Sequence, residues 1–139
     1  MILLDTNIIS ELIKPHPNPE VAIWIGKQPA AELFITAITE AELHFGLALL
    51  PESRRRDRLY AAVTAMLAED FAERILPFDS LAATAYAAIA NLRRQAGRPI
   101  AQFDAQIAAI AKSRGASLAT RNAMDFDGCG IDVINPWGK

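Results

Sequence analysis

The first five residues constrain this chain most. Met1-Ile2-Leu3-Leu4 is an unbroken apolar run that stops at an acid, Asp5. A run that short, without polar alternation, predicts a strand buried on both faces. Ile8, Ile9, Leu12 and Ile13 follow at helical spacing, so the strand passes through Thr6-Asn7 into a helix. Asp5 then stands at the C-terminal end of a buried strand, and in an open parallel sheet that edge is where ligands and chemistry collect. The residue admits two readings. Either Asp5 or Thr6 caps the helix by accepting from its first free N–H groups, or Asp5 belongs to a site.

The remaining chain alternates in the same way. Strands are predicted near 32–36, 74–78, 117–120 and 131–134. Helices are predicted after the Asn18-Pro19 cap, over about 38–50 up to Pro51, through Leu59, Val63, Met66, Leu67 and Phe71, from Asp79 or Ser80 to Gly97 with Leu81, Ala85, Ile89 and Leu92 inward, and over 100–114 up to Gly115. Strands alternating with helices predict an α/β fold, one parallel sheet covered on both sides. With 139 residues, 52% of them hydrophobic and 22% charged, a single domain spanning 1–139 is expected.

Composition excludes several functions. No apolar run approaches the about 18 residues of a membrane helix, and the first run is too short for a signal peptide, so a cytoplasmic protein is expected. One cysteine, Cys129, allows neither an internal disulfide nor a Cys-based zinc site, and two histidines, His16 and His44, are too few for a zinc cluster. Cys129 reads as a small loop residue. A formal net charge of −2 lacks the footprint of a general nucleic-acid binder; such a role would need a local basic patch and a cation. Arg54, Arg55, Arg56 and Arg58 form the densest basic run, with Arg93, Arg94 and Arg98 second. Each reads either as a solvated face or as a phosphate-binding surface.

The informative residues are acids placed on apolar faces. Ile38, Glu42, Phe45, Gly46 and Leu49 share one helical face, which Glu42 interrupts. Ile100, Asp104, Ile107, Ala108 and Ala111 share another, which Asp104 interrupts. Burying an ionised carboxylate is costly without a partner, although Asp104 also suits the first turn of its helix. Thr120 ends the strand at 117–120 and Asn122 and Asp125 follow it, at the same sheet edge as Asp5; an ordinary Asx turn is the alternative. If Asp5, Glu42 and Asp104 converge, their repulsion raises their pKa values, and a hard divalent cation relieves it. Oxygen ligands without Cys or His select Mg²⁺ or Mn²⁺, which can assist phosphodiester hydrolysis.

Ile2-Leu3-Leu4-Asp5-Thr6-Asn7, Thr39-Glu40-Ala41-Glu42-Leu43, Phe103-Asp104-Ala105-Gln106-Ile107-Ala108 and Ala119-Thr120-Arg121-Asn122 through Asp125-Phe126 together resemble the four motifs of PIN-domain nucleases. The likeness is closest to VapC-type toxins and their FitB-like branch, which shares the Asn135-Pro136-Trp137 ending. The resemblance implies an α/β/α three-layer sandwich with a mostly parallel central sheet. It implies a Mg²⁺-dependent endoribonuclease acting on RNA such as tRNA, usually a homodimer, restrained by a VapB-like antitoxin. Carried over, Asp5, Glu42 and Asp104 are the metal-site acids, and Asn122 and Asp125 complete the shell. Thr6 and Thr120 orient carboxylates or water. Arg121, by its place beside the proposed site, is a better candidate for a phosphate contact than either basic run. Asn122 stands where many relatives have Asp, which keeps a non-catalytic PIN scaffold binding RNA or a partner as the alternative. A haloacid-dehalogenase-like phosphatase needs a second acid where Asn7 stands. A receiver domain needs paired acids after its first strand.

Overall fold

Residues 1–138 are described by a computed structural model. The strands β1 (Ile2–Leu4), β2 (Leu33–Thr36), β3 (Ile75–Leu76), β4 (Ser117–Ala119) and β5 (Val133–Ile134) form one sheet in the order β3-β2-β1-β4-β5, every pairing parallel. The helices are α1 (Thr6–Leu12), α2 (Pro19–Gly26), α3 (Ala37–Ala48), α4 (Arg54–Ala65), α5 (Ser80–Gln95) and α6 (Gln102–Arg114).

Successive side chains of a strand point to opposite faces, and both faces are covered here. Leu3 and Leu118 enter a core with Ile89 of α5 and Ile107 and Ile110 of α6. Leu4, Leu33 and Ile35 enter a second core with Ile8 and Ile9 of α1, Leu43 and Leu47 of α3 and Val63 of α4. The result is an α/β/α sandwich. This double coverage explains why β1 lacks alternation. Each fully buried Leu or Ile contributes about 1.5–3 kcal/mol, so the central strand is anchored from both sides.

Two helical faces depart from the sequence pattern. The buried residues of α3 are Thr39, Leu43 and Leu47, while Phe45 and Leu49 are 65% and 68% exposed. The strand–helix junction sets this phase: buried Thr36 caps α3 by accepting from the Thr39 N–H at 3.1 Å. Glu42 therefore flanks the core stripe instead of interrupting it. In α5 the inward residues are Ala82, Ile89 and Arg93, and Leu81 and Leu92 face outward. Alanines 105, 108, 109 and 111 of α6 are buried, and this small-residue face against α5 leaves little room for leucines. Helix α4 stops at Ala65 and passes into a π turn, Met66–Asp70; the Phe71 N–H donates to the Met66 carbonyl at 3.1 Å, which keeps Leu67 and Phe71 on the core. Edges are shorter than predicted: β3 ends before Pro77, which has no N–H for the ladder, and Ala101 is extended, so α6 starts at Gln102. Cys129 is buried in the core beside α6.

Candidate active site

The chain builds β1, β2 and β3 outward on one side and then returns to place β4 and β5 on the other. The order reverses between β1 and β4, and clefts form at such switch points. Leu4 pairs with Ala119, so Asp5 and Thr120 are the next residues on neighbouring strands. The Thr120 hydroxyl donates to Asp5 Oδ2 at 2.7 Å, and the Thr6 N–H donates to Asp5 Oδ1 at 2.8 Å. Asp5 thus does both things the sequence allowed: one oxygen caps α1, and the residue also lines the cleft.

Glu42 reaches the same cleft from α3. The Thr6 hydroxyl donates to its Oε1 at 2.6 Å. Asp104 arrives from the first turn of α6. The cleft has a volume of about 390 Å³ and is lined by these three acids with Thr6, Asn7, Ser10, Glu11, Lys14, Arg121, Asn122 and Trp137. Asp125 is not in its wall. It lines a neighbouring cavity of about 170 Å³ with Asp104 and Arg93, close enough for its charge to act on Asp104 and Asp5.

The electrostatics follow from this crowding. Asp104 is pushed up to about 6, first by burial and then by Asp5, Asp125 and Glu42, with Arg93 opposing. Burial also raises Asp5; the hydrogen bonds from Thr120 and the Thr6 backbone oppose it, and Asp125 adds to it. Each carboxylate here would gain from a cation. Among the described residues no group of three or more His, Cys, Asp or Glu side chains is placed so that it could hold a metal ion as it stands. An all-oxygen, open donor set suits a hard ion that keeps several waters, and does not suit one needing a full protein shell.

Several residues of the cleft were not singled out from the sequence. The Asn7 amide donates to the Thr120 hydroxyl at 3.2 Å and accepts the Arg121 N–H at 3.2 Å, tying the two strand ends together. Glu11 is buried, accepting from Lys14 Nζ at 2.9 Å and from the Asn18 N–H at 2.9 Å. The spacing 7, 10, 11 was the available signal, since it marks one face of α1, with Lys14 following three residues after Glu11, just past the helix end. The Arg121 guanidinium lies 5.1 Å from the Trp137 ring centroid, a contact with no signature in sequence spacing. The second basic run is only partly a free surface, with Arg94 exposed. Arg93 is buried and donates to the carbonyls of Arg98, Asp125 and Asp127, and Arg98 pairs with Asp127 at 3.0 Å.

A parallel sheet with an acidic cleft at its switch point defines a class of α/β proteins, and comparison narrows it. The PIN domain matches residues 2–127, and the chain belongs to the PIN-domain family. It is 42% identical over 137 residues to the VapC ribonuclease Y4jK of Sinorhizobium fredii, covering 99% of this chain and 98% of that one. It is 40% identical to Toxin FitB of Neisseria gonorrhoeae, covering 99% of each. The crystal structure of FitAcB from Neisseria gonorrhoeae superposes with a TM-score of 0.94 at 40% identity over the whole of both chains. The resemblance read from the motifs therefore holds.

Proposed function

We propose that this chain is a Mg²⁺-dependent endoribonuclease, able to use Mn²⁺, and the toxin of a VapBC-type toxin–antitoxin pair acting in the cytoplasm. One observation carries the reading: Asp5, Glu42 and Asp104, from three separate elements, line one cleft. The relatives named as a VapC ribonuclease and as a toxin support it. Asp5 and Asp104 would hold the ion, directly or through water, with Asn122 in the wall and Asp125 adding charge from behind. When bound, the ion supplies charge neutralisation and Lewis acidity at a phosphoryl oxygen.

The chain's own groups do the rest. The Thr6 hydroxyl fixes Glu42 through Oε1, leaving Oε2 to orient or deprotonate the attacking water. Thr120 and Asn7 fix Asp5. Arg121, steadied on Trp137, offers a cation at the rim for an RNA phosphate, tRNA included. A VapB-like antitoxin would restrain the enzyme by placing a basic residue among these acids. A second copy would cover the outward Phe45, Leu49, Leu81 and Leu92.

The test is cleavage of total RNA with Mg²⁺ or with EDTA. Wild type should cut only with the ion. Asp5→Asn should not cut, yet should keep or raise the thermal stability of the metal-free protein, because a buried charge is removed and the cap acceptor stays. RNA binding without cleavage under any divalent ion would point instead to a non-catalytic scaffold. A large stability loss in Asp5→Ala, which removes the cap acceptor, with cleavage retained would make the cap its main role.

A further inference from the structure

The acidic cleft does not end at Lys14. A second cavity, about 570 Å³, shares Ser10 and Lys14 with it and runs on between α1 and α4. Its character is reversed. Arg55 and Arg58 line it beside Lys14, Ile13 and Leu59 supply apolar floor, and among the described residues no acidic side chain is in its wall. Among the described residues neither Arg55 nor Arg58 has an ion-pair partner. Among the described residues, the carboxylate paired with Lys14 is that of Glu11, which lies on the cleft side.

The position of these arginines is itself informative. Ser53 caps α4, so Arg54, Arg55 and Arg56 occupy its first turn, the positive end of the helix dipole. Cations there lose about 0.3–1 kcal/mol each. The run therefore does not serve the helix it sits in. Arg55 and Arg58 are three apart and share one helical face, the one turned to the cavity. In a chain with a net charge of −2, this is positive charge without an ion-pair partner among the described residues, adjoining the acids, with Asp57 the one acid in the first turn of α4.

We propose that this groove holds the single-stranded RNA flanking the bond to be cut. Arg55 and Arg58 would neutralise its phosphates, and Ile13 and Leu59 would meet ribose and base faces. The proposal rests on the nuclease reading for the neighbouring cleft. The same charge would suit an acidic protein segment, but continuity with a site for phosphodiester chemistry favours the polyanion that is also the substrate.

The experiment measures binding of a fluorescent oligouridylate by anisotropy in EDTA, across a salt series, with cleavage of the same RNA in Mg²⁺ as a second readout. Arg55→Ala/Arg58→Ala and Arg55→Glu/Arg58→Glu are compared with Arg94→Glu, an exposed change on α5 across the sheet. The alanine pair removes no ion pair and should melt like wild type. It should weaken binding about tenfold, flatten the log–log salt slope by about 1.4 units for the loss of two phosphate contacts, and raise KM more than it lowers kcat. The glutamate pair should weaken binding further, and Arg94→Glu should change little. Unchanged affinity and slope in both pairs would overturn the proposal. So would an equal loss in Arg94→Glu, or retained RNA binding with lost capture of an acidic partner. Cleavage whose KM ignores the substitutions sinks the groove and leaves the nuclease; groove-dependent binding with no cleavage does the reverse.

Discussion

Glu11 and Asp104 line the same cleft, and their carboxyl groups are pushed in opposite directions. The Glu11 carboxyl lies below its ordinary range, held down first by the hydrogen bond from Lys14 and then by the Asn18 N–H. Asp104 rises to about 6 through burial and three neighbouring acids. Glu11 is the more enclosed of the two, with 7% of its surface exposed. Burial alone therefore does not mark a reactive acid. Each Glu11 oxygen has a donor from its own neighbourhood, and the residue pins the Lys14–Pro19 turn to α1. Among the described residues nothing donates to the Asp104 carboxylate, so its charge is left for something that arrives from solution.

The sharpest way to break this contrast is to neutralise each acid in turn. Asp104→Asn should lower the Mg²⁺-dependent cleavage rate about a thousandfold or more, with no loss of metal-free stability. Glu11→Gln should keep cleavage near the wild-type rate and instead lower the Tm, because both of its charge-assisted hydrogen bonds weaken. Rates on a defined RNA and melting curves in EDTA check both. Equal losses of activity in the two variants would mean that Glu11 also belongs to the chemistry.

Arg93 sharpens the comparison from behind. It is the cation that opposes the rise of Asp104, and it donates to three carbonyls, two of them in the loop bearing Asp125. Arg93→Ala should cost about 3 kcal/mol in urea unfolding, since buried carbonyls lose their donor. In the protein that still folds, the midpoint for Asp104, followed by carboxyl NMR, should move above 6. A stable variant with that midpoint unmoved would show that Arg93 neither braces the loop nor reaches Asp104.

Much of this was legible in the chain because the acids interrupt patterns that apolar residues set. The Leu4-Asp5 junction fixed both the end of β1 and the edge of the cleft, and the alternation of strands and helices fixed the layered fold. Glu42 was found by a partly mistaken route. Its helix was phased on Phe45 and Leu49, which face solvent, while Thr36 and Thr39 at the junction rotate α3 so that Leu43 and Leu47 face the sheet. Arg93 was misplaced for a related reason. Periodicity treats arginine as an outward residue, and only the fold supplies the carbonyls that satisfy it inside. Arg121 on Trp137 joins segments whose meeting depends on β4 and β5 pairing, so nothing local announces it.

The smallest expected effect is the most specific, because the two acids should give stability opposite dependences on pH. A carboxyl that is raised on folding binds its proton more tightly in the folded state. Between its ordinary value of 3.8 and the folded value of about 6, Asp104 therefore makes the metal-free protein less stable as pH rises, by about 1 kcal/mol once its partial exposure to solvent is allowed for. Asp5 is raised too and acts in the same sense, so Asp104→Asn should flatten only part of the fall. Glu11 is lowered from 4.5; its contribution is complete above that value and fades as pH falls through the folded one. Urea unfolding in EDTA from pH 3.5 to 7.5 separates the two: Asp104→Asn should change the upper part of the profile, and Glu11→Gln the lower. Saturating Mg²⁺ should erase the Asp104 limb by favouring its ionised form and leave the Glu11 limb in place. A Glu11 limb that also responds to the ion would place that acid within the ion's reach and dissolve the distinction.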